Sequence, residues 1–154
     1  MRRELLYAAP IAGMIAIPIL RKRIAPGVEA VVYTAEKTVK PGDSCSFTVV
    51  FKNEGEISTT VTWQPSIGPE SSSWRSIGSA ESFTIGGGEQ VSKSRTFTMP
   101  SDLAGHDIDL KIAYSFEKEG TTVSKEVTYY NMYGKYAWHV QGLPDVKVVS
   151  ISIS

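Results

Sequence analysis

A chain of 154 residues with one cysteine and two histidines is sized for a single domain with an appendage, and it can form no internal disulfide. Its 16 basic and 16 acidic residues cancel overall. They are unevenly spread: residues 1–24 hold five basic residues against Glu4 alone, which leaves eleven basic and fifteen acidic residues, a net of minus four, for residues 25–154. The folded part therefore has no basic surplus with which to hold a phosphate backbone, and no nucleic-acid partner is expected.

Leu5 to Leu20 (LLYAAPIAGMIAIPIL) is sixteen residues without a charge, flanked by Arg2-Arg3 and Arg21-Lys22-Arg23. As a helix it is about 24 Å long, short of the ~30 Å hydrocarbon core of a bilayer, and the flanking arginines can snorkel to cover the shortfall. Pro10, Gly13 and Pro18 would kink it. Three readings stand: a membrane segment, a secretory signal peptide, and an apolar arm buried against neighbouring subunits. The basic cluster directly after the apolar run and the poor cleavage pattern Val28-Glu29-Ala30 count against the signal peptide. The expectation is an N-terminal unit, residues 1–26, that anchors the chain in lipid or in protein. Leu5, Leu6, Ile11, Ile15, Ile17 and Leu20 are its contact residues.

Residues 27–154 read as a second unit. Val28 to Glu36 is the first strand, with Val28, Ala30 and Val32 on one face. Lys40 to Trp63 reads as a turn at Pro41-Gly42, a strand, a tight reversal at Asn53-Glu54-Gly55 and a returning strand, that is, a central hairpin. Cys45, Phe47, Val49 and Phe51 share one face of it, and Ile57, Thr59, Val61 and Trp63 share one face of its return. The lone Cys45 thus reads as a small buried hydrophobe. Gln64 to Ser79, rich in Pro, Gly and Ser, is expected to be a long connection tucked onto the sheet by Trp74 and Ile77.

Ala80–Ile85 and Gln90–Met99 are further strands, and Gly86-Gly87-Gly88-Glu89 is expected to be the hairpin turn between them. A phosphate-cradling reading of that glycine run fails, because a strand pattern follows it where a helix N-terminus would be needed. After a corner at Pro100–Gly105, Ile108, Leu110, Ile112, Tyr114 and Phe116 share a strand face, and Glu117–Gly120 turns the chain into a returning strand, Thr121–Tyr130. Asn131–Val140 is aromatic, and Val146–Ile153 is a final strand beyond the break at Pro144-Asp145. Seven or eight short strands joined by Gly/Pro/Asp turns predict an all-β, two-sheet antiparallel sandwich.

Lys40-Pro41-Gly42-Asp43, then Phe47-Thr48-Val49-Val50-Phe51-Lys52-Asn53-Glu54-Gly55, then the Ala104-Gly105 corner feeding a long strand, resembles immunoglobulin-like modules of the CARDB kind over roughly residues 28–130. Such modules are common in archaeal and bacterial surface proteins. The resemblance implies an immunoglobulin-like sandwich at a cell or assembly surface, with an adhesive, spacer or structural role and no catalytic residues. The sequence departs from the family in one place. A segment like Leu143–Ile151 usually opens such a module, and here it closes the chain. It either pairs within its own sandwich or adds to the sheet edge of a neighbour, with Val149, Ile151 and Ile153 as the contacting residues.

Catalytic and cofactor patterns are missing: HExxH, paired cysteines and a P-loop are absent, and His106 and His139 suggest no acid–base pair. No enzyme activity and no cofactor are expected. Asp107 and Asp109 share the face of their strand opposite Ile108, and are expected on a solvated outer face rather than as a Ca²⁺ site. Trp63, Trp74 and Trp138 suit a sugar platform or, more commonly, a core. Tyr130, Tyr133, Tyr136 and Trp138 form the best interface candidate, the competing reading being that they close one end of the sandwich. The functional expectation is a structural subunit of a surface or viral assembly. Its partners would be copies of itself or other structural subunits, plus membrane lipid through residues 5–20, and its location a membrane, cell surface or virion. The alternative is a membrane-tethered module that recognises a glycan or a partner protein.

Overall fold

The computed structural model describes residues 23–34 and 37–142. The contact residues expected at 5–20, and the final strand with Val149, Ile151 and Ile153, lie outside the described residues. Within them the chain is a β-sandwich. Strands β1 (Val28–Tyr33), β3 (Ser44–Asn53) and β7 (Gln90–Thr98) form one sheet in the order β1-β3-β7, all antiparallel. The other sheet is built on β4 (Thr59–Pro69) and β8 (Asp107–Lys118), antiparallel over nine residue pairs. Strands β5 (Arg75–Ser76) and β6 (Glu81–Ile85) share the free edge of β4. Strands β9 (Thr121–Thr128) and β10 (Trp138–Val140) share that of β8, and β2 (Lys37–Val39) runs parallel to β10 at the margin.

The period-two faces are as expected. Val28, Ala30, Val32, Cys45, Phe47, Val49, Phe51, Val61, Trp63 and the alternating residues Ile108 to Phe116 all lie in the core between the sheets. Burial pushes the Cys45 thiol above its ordinary value, which makes it a poor nucleophile at neutral pH. Ile57, expected inward, is 36% exposed.

Strand partners differ from the expectation in two places, for one reason. The predicted central hairpin is not a hairpin: β3 and β4 lie in opposite sheets and face one another across the core, with the Phe51 and Trp63 rings edge-on at 5.7 Å. Likewise Gly86–Glu89 carries the chain from β6 in one sheet to β7 in the other. Both crossings are held by Asn53, which is fully buried. Its amide nitrogen donates to Ile57 O (2.9 Å) and Gly86 O (3.2 Å), and its Oδ1 accepts from Gly55 N (3.0 Å) and Gly27 N (3.3 Å). Its backbone bonds Glu89 O and Gly88 N. One side chain thus replaces the ladder that a hairpin would supply. Gly55 beside it has no room for a side chain, since a Cβ there would run into the Ala25 carbonyl.

The expected connection at Gln64–Ser79 begins as strand: β4 continues to Pro69, and Arg75–Ser76 pairs with it. Pro65 sits inside β4 without cost to the ladder. Its carbonyl accepts from Ile77 N, so its own nitrogen faces the same way, into the interval between the β6 and β5 pairings where no donor is required. Ile77 is buried and Trp74 packs over Gly68, as expected.

Side chains clasp the two open sides of the sandwich. On one side Tyr114 Oη donates to Val28 O (3.2 Å), Lys125 pairs with Glu29 (2.6 Å), and Tyr133 Oη donates to Val32 O (2.6 Å), joining β1 to the opposite sheet. On the other, Lys93 and Arg95 point inward from β7 to Glu81 (3.0 and 3.2 Å), and Arg95 also donates to Ile77 O and Ser79 O. The Lys93 bond is the main reason that the Glu81 carboxyl is held below the usual range. Inward charges of this kind also shield an edge strand from unwanted pairing.

Burial, then the nearby Glu29 carboxylate, push the Tyr114 hydroxyl from its ordinary value of 10 up to about 12. A raised folded-state value means that this contribution is complete below pH 10 and is lost as pH rises toward 12. A shift of this size corresponds to roughly 3 kcal/mol. Urea titrations at pH 9 and pH 12 are expected to differ by a loss of that order, and Tyr114→Phe should remove most of the difference. An equal alkaline loss in Tyr114→Phe would assign the effect to other groups.

Candidate functional site

The expected interface tyrosines come together at one end of the sandwich, and the local sequence explains how. Strand β9 stops at Thr128, short of the expected Tyr130, because the Thr128 side chain caps a helical turn by accepting from Asn131 N (3.1 Å). The helix α1 (Tyr129–Tyr133) ends where Gly134 takes a left-handed conformation. Tyr129 faces the core, and its ring lies 4.5 Å from that of Tyr133. Tyr130 faces outward, 4.7 Å from the ring of half-buried Tyr136.

Asp109 fixes this helix to β8, and it corrects an expectation. It was expected on a solvated face, yet it is fully buried. Its Oδ1 accepts from Leu110 N (2.8 Å) and Tyr130 N (2.9 Å), and its Oδ2 from the Ser71 hydroxyl (2.8 Å). Alternation fails here because Ser71 of the 70–73 loop and the start of α1 close over the outward face of β8 at Asp109, while the core covers its other face. Asp107, by contrast, meets His139 Nδ1 at 2.7 Å on the exposed surface. His106 Nδ1 meets Glu70 at 2.9 Å, and the same carboxylate accepts from Asp107 N. Each histidine is thus paired with its own carboxylate. Among the described residues no group of three or more His, Cys, Asp or Glu side chains is placed to hold a metal ion.

Trp138 is not an interface residue. It is 1% exposed and its indole meets Phe97 edge-on at 5.3 Å, so it belongs to the core. Trp63 is buried as well, and Trp74 lies under Lys111, whose Nζ is 4.6 Å from its ring. The three tryptophans therefore make no common platform. A residue that the sequence reading passed over takes part instead. Tyr33 closes β1 on its outward face and is 52% exposed, and with Thr34, Tyr129 and Tyr133 it lines one shallow depression. A second, adjoining groove is lined by Lys37, Thr38, Asp107, Tyr130, Tyr136 and His139 among others. The alternation of β1 placed Tyr33 outward, but nothing local says that the α1 tyrosines would arrive beside it. Tyr130 and Tyr133 are 41% and 40% exposed, so three large aromatic surfaces face solvent at this one end.

The opposite end is where the chain enters. Arg23 donates to Glu56 O (3.0 Å) and Ile24 N to the Glu56 carboxylate (2.9 Å), which pins the entry beside the β3–β4 crossing. No helix among the described residues is long and apolar enough to cross a membrane.

No family model and no curated protein matches this sequence. Solved structures do match in shape. A CARDB domain from Pyrococcus furiosus, crystallised with di-metal ions, aligns over 75% of this chain and 89% of its own with a TM-score of 0.50 at 14% identity. The sporulation control protein Spo0M of Bacillus subtilis aligns over 77% of this chain and 50% of its own at 19% identity, with a TM-score of 0.43. A β-glucosidase from Listeria innocua aligns over 76% of this chain and 16% of its own at 17% identity, with a TM-score of 0.40. At these identities the likeness speaks for fold alone. Residues 28–34 and 37–140 thus form an immunoglobulin-like β-sandwich of the kind seen in a CARDB domain.

Proposed function

We infer that this chain is a non-enzymatic structural subunit of a surface or viral assembly, held by its N-terminal apolar segment in a membrane or a protein shell. One observation carries the reading: the chain enters at one end of the sandwich, while the exposed tyrosines gather at the other. A subunit that must be held at one end and touch a neighbour at the other needs this polarity. The runner-up, a tethered module that recognises a glycan or protein, draws on the same polarity. With Trp63 and Trp138 in the core, its contact surface would be the tyrosines.

The test uses the full-length protein and a variant carrying Ile11→Asp and Ile15→Asp, compared by light scattering and by flotation with phosphatidylcholine vesicles. The expected result is that the parent forms particles larger than a monomer, with or without vesicles, and that the variant is a monomer that stays off lipid. A parent that floats with vesicles yet stays monomeric on them would favour the tethered module. A parent that does neither would remove both readings.

A further inference from the structure

Two ends of different chemistry lie far apart on this sandwich. Thr59 Oγ1 donates to Glu117 O (2.9 Å), which places the end of β8 at the entry end, near Glu56 and Ile57. Asp109, which holds Tyr130, lies at the other end of the same strand. Eight residue steps of extended chain separate Asp109 from Glu117, a span of about 27 Å. Ile24 (55% exposed) and Ile57 ring the entry with apolar surface. Ahead of that entry the sequence carries sixteen uncharged residues, Leu5–Leu20, interrupted by Pro10 and Pro18.

We propose that the tyrosine end of one copy is the seat for the Leu5–Leu20 segment of a second copy, joined head to tail. The proposal rests on the assembly reading above and names the contact that would build it. Four observations support it. Arg23 and Ile24, to which the segment is joined, are held at the end opposite the tyrosines, so the point of attachment is far from the seat on the same copy. Sixteen apolar residues demand cover, and the exposed aromatic surface available on the described sandwich is Tyr33, Tyr130 and Tyr133. The chemistry fits: rigid aromatic faces with polar rims take proline and aliphatic side chains, as proline-rich segments dock in aromatic-lined grooves. The seat is also preorganised, because Asp109 fixes the Tyr130 backbone, the Thr128 cap fixes the helix, and Tyr133 is tied to Val32 O. Little side-chain ordering is then left to oppose binding. A contact between unlike ends is heterologous, so its repetition can build a ring or an open filament.

The test is disulfide trapping between two differently tagged full-length chains, one carrying Ala9→Cys and the other Tyr130→Cys. Cys45 is buried and stays silent in both. Mild oxidation is expected to give a two-tag disulfide, and to give none when Ser115→Cys on the outer face of β8 replaces Tyr130→Cys. A separate full-length chain with Tyr33→Ser and Tyr130→Ser should need about tenfold more protein before particles appear, the size of effect typical of losing an aromatic hot spot. Its urea midpoint should fall only modestly, since each side chain is only about half covered and neither reaches the core. Particles that form normally without the Ala9–Tyr130 trap would overturn this seat and leave the assembly reading standing, as would a full-length chain carrying both Ala9→Cys and Tyr130→Cys whose disulfide forms only within the chain. A protein that never assembles, with Ala9→Cys shielded from a thiol reagent only when vesicles are present, would overturn both.

Discussion

Asn53→Ala is expected to be among the most destabilising single substitutions in this protein, costing roughly 3 kcal/mol or more. The side chain is fully buried and makes four hydrogen bonds, two given and two received. Alanine leaves Ile57 O, Gly86 O, Gly55 N and Gly27 N to find other partners at a site closed to solvent. Each buried group stranded in this way costs about 1–3 kcal/mol, and partial water entry recovers some of it. The four groups belong to the chain entry, the β3–β4 crossing and the β6–β7 crossing. The loss should therefore be global, seen as a lower urea midpoint. Asn53→Asp is a stricter probe of the same idea. It keeps the acceptor for Gly55 and Gly27 but turns a carboxylate oxygen toward the carbonyls of Ile57 and Gly86, so it should be at least as damaging near pH 7. A cost below about 1 kcal/mol for both variants would mean that the two crossings are held by backbone bonds and packing alone.

Asp109→Ala should cost about 3 kcal/mol, with a different distribution. The carboxylate accepts from two backbone amides and one hydroxyl, and bonds to a charged acceptor are worth about 1.5–3 kcal/mol each. Removing it also relieves the burial of a charge, which offsets part of the loss. What remains is local: α1 loses its tie to β8, and the 70–73 loop loses Ser71. Amide exchange at Tyr130 should accelerate by more than tenfold, while amides in β3 and β4 keep their protection relative to global opening. Asp109→Asn retains one acceptor and should fall between the parent and alanine. Equal acceleration at every amide would mean that Asp109 supports the whole sandwich and has no special hold on the tyrosine end.

The two residues show where reading the sequence succeeds and where it stops. Alternation assigned the faces of β1, β3 and β8 correctly, because a half-buried strand leaves a period of two whatever lies beside it. The same alternation could not say which strands pair. The β3 and β4 patterns fit a hairpin and a sheet crossing equally well, and Asn53-Glu54-Gly55 has turn composition in either case. Asp109 lies on the outward face by count, and only a loop nearly forty residues upstream, with the start of α1, makes that face an interior. The tyrosine end was half legible. The α1 aromatics stood out as a cluster, whereas Tyr33 enters it from a strand about a hundred residues earlier, and Trp138 leaves it for the core.

Local patterning was enough for the class of fold, the positions of most strands, the apolar side of most of them and the exclusion of an internal disulfide. These rest on local periodicity and residue chemistry, which need no partner to be visible. The tertiary structure alone decided that β3 and β4 belong to different sheets, that Asn53 and Asp109 are interior anchors, and that the tyrosines stand at the end opposite the chain entry. Each of those is a relation between segments far apart in sequence. Backbone hydrogen-bond partners and burial by a distant loop leave no mark on the local pattern of either segment.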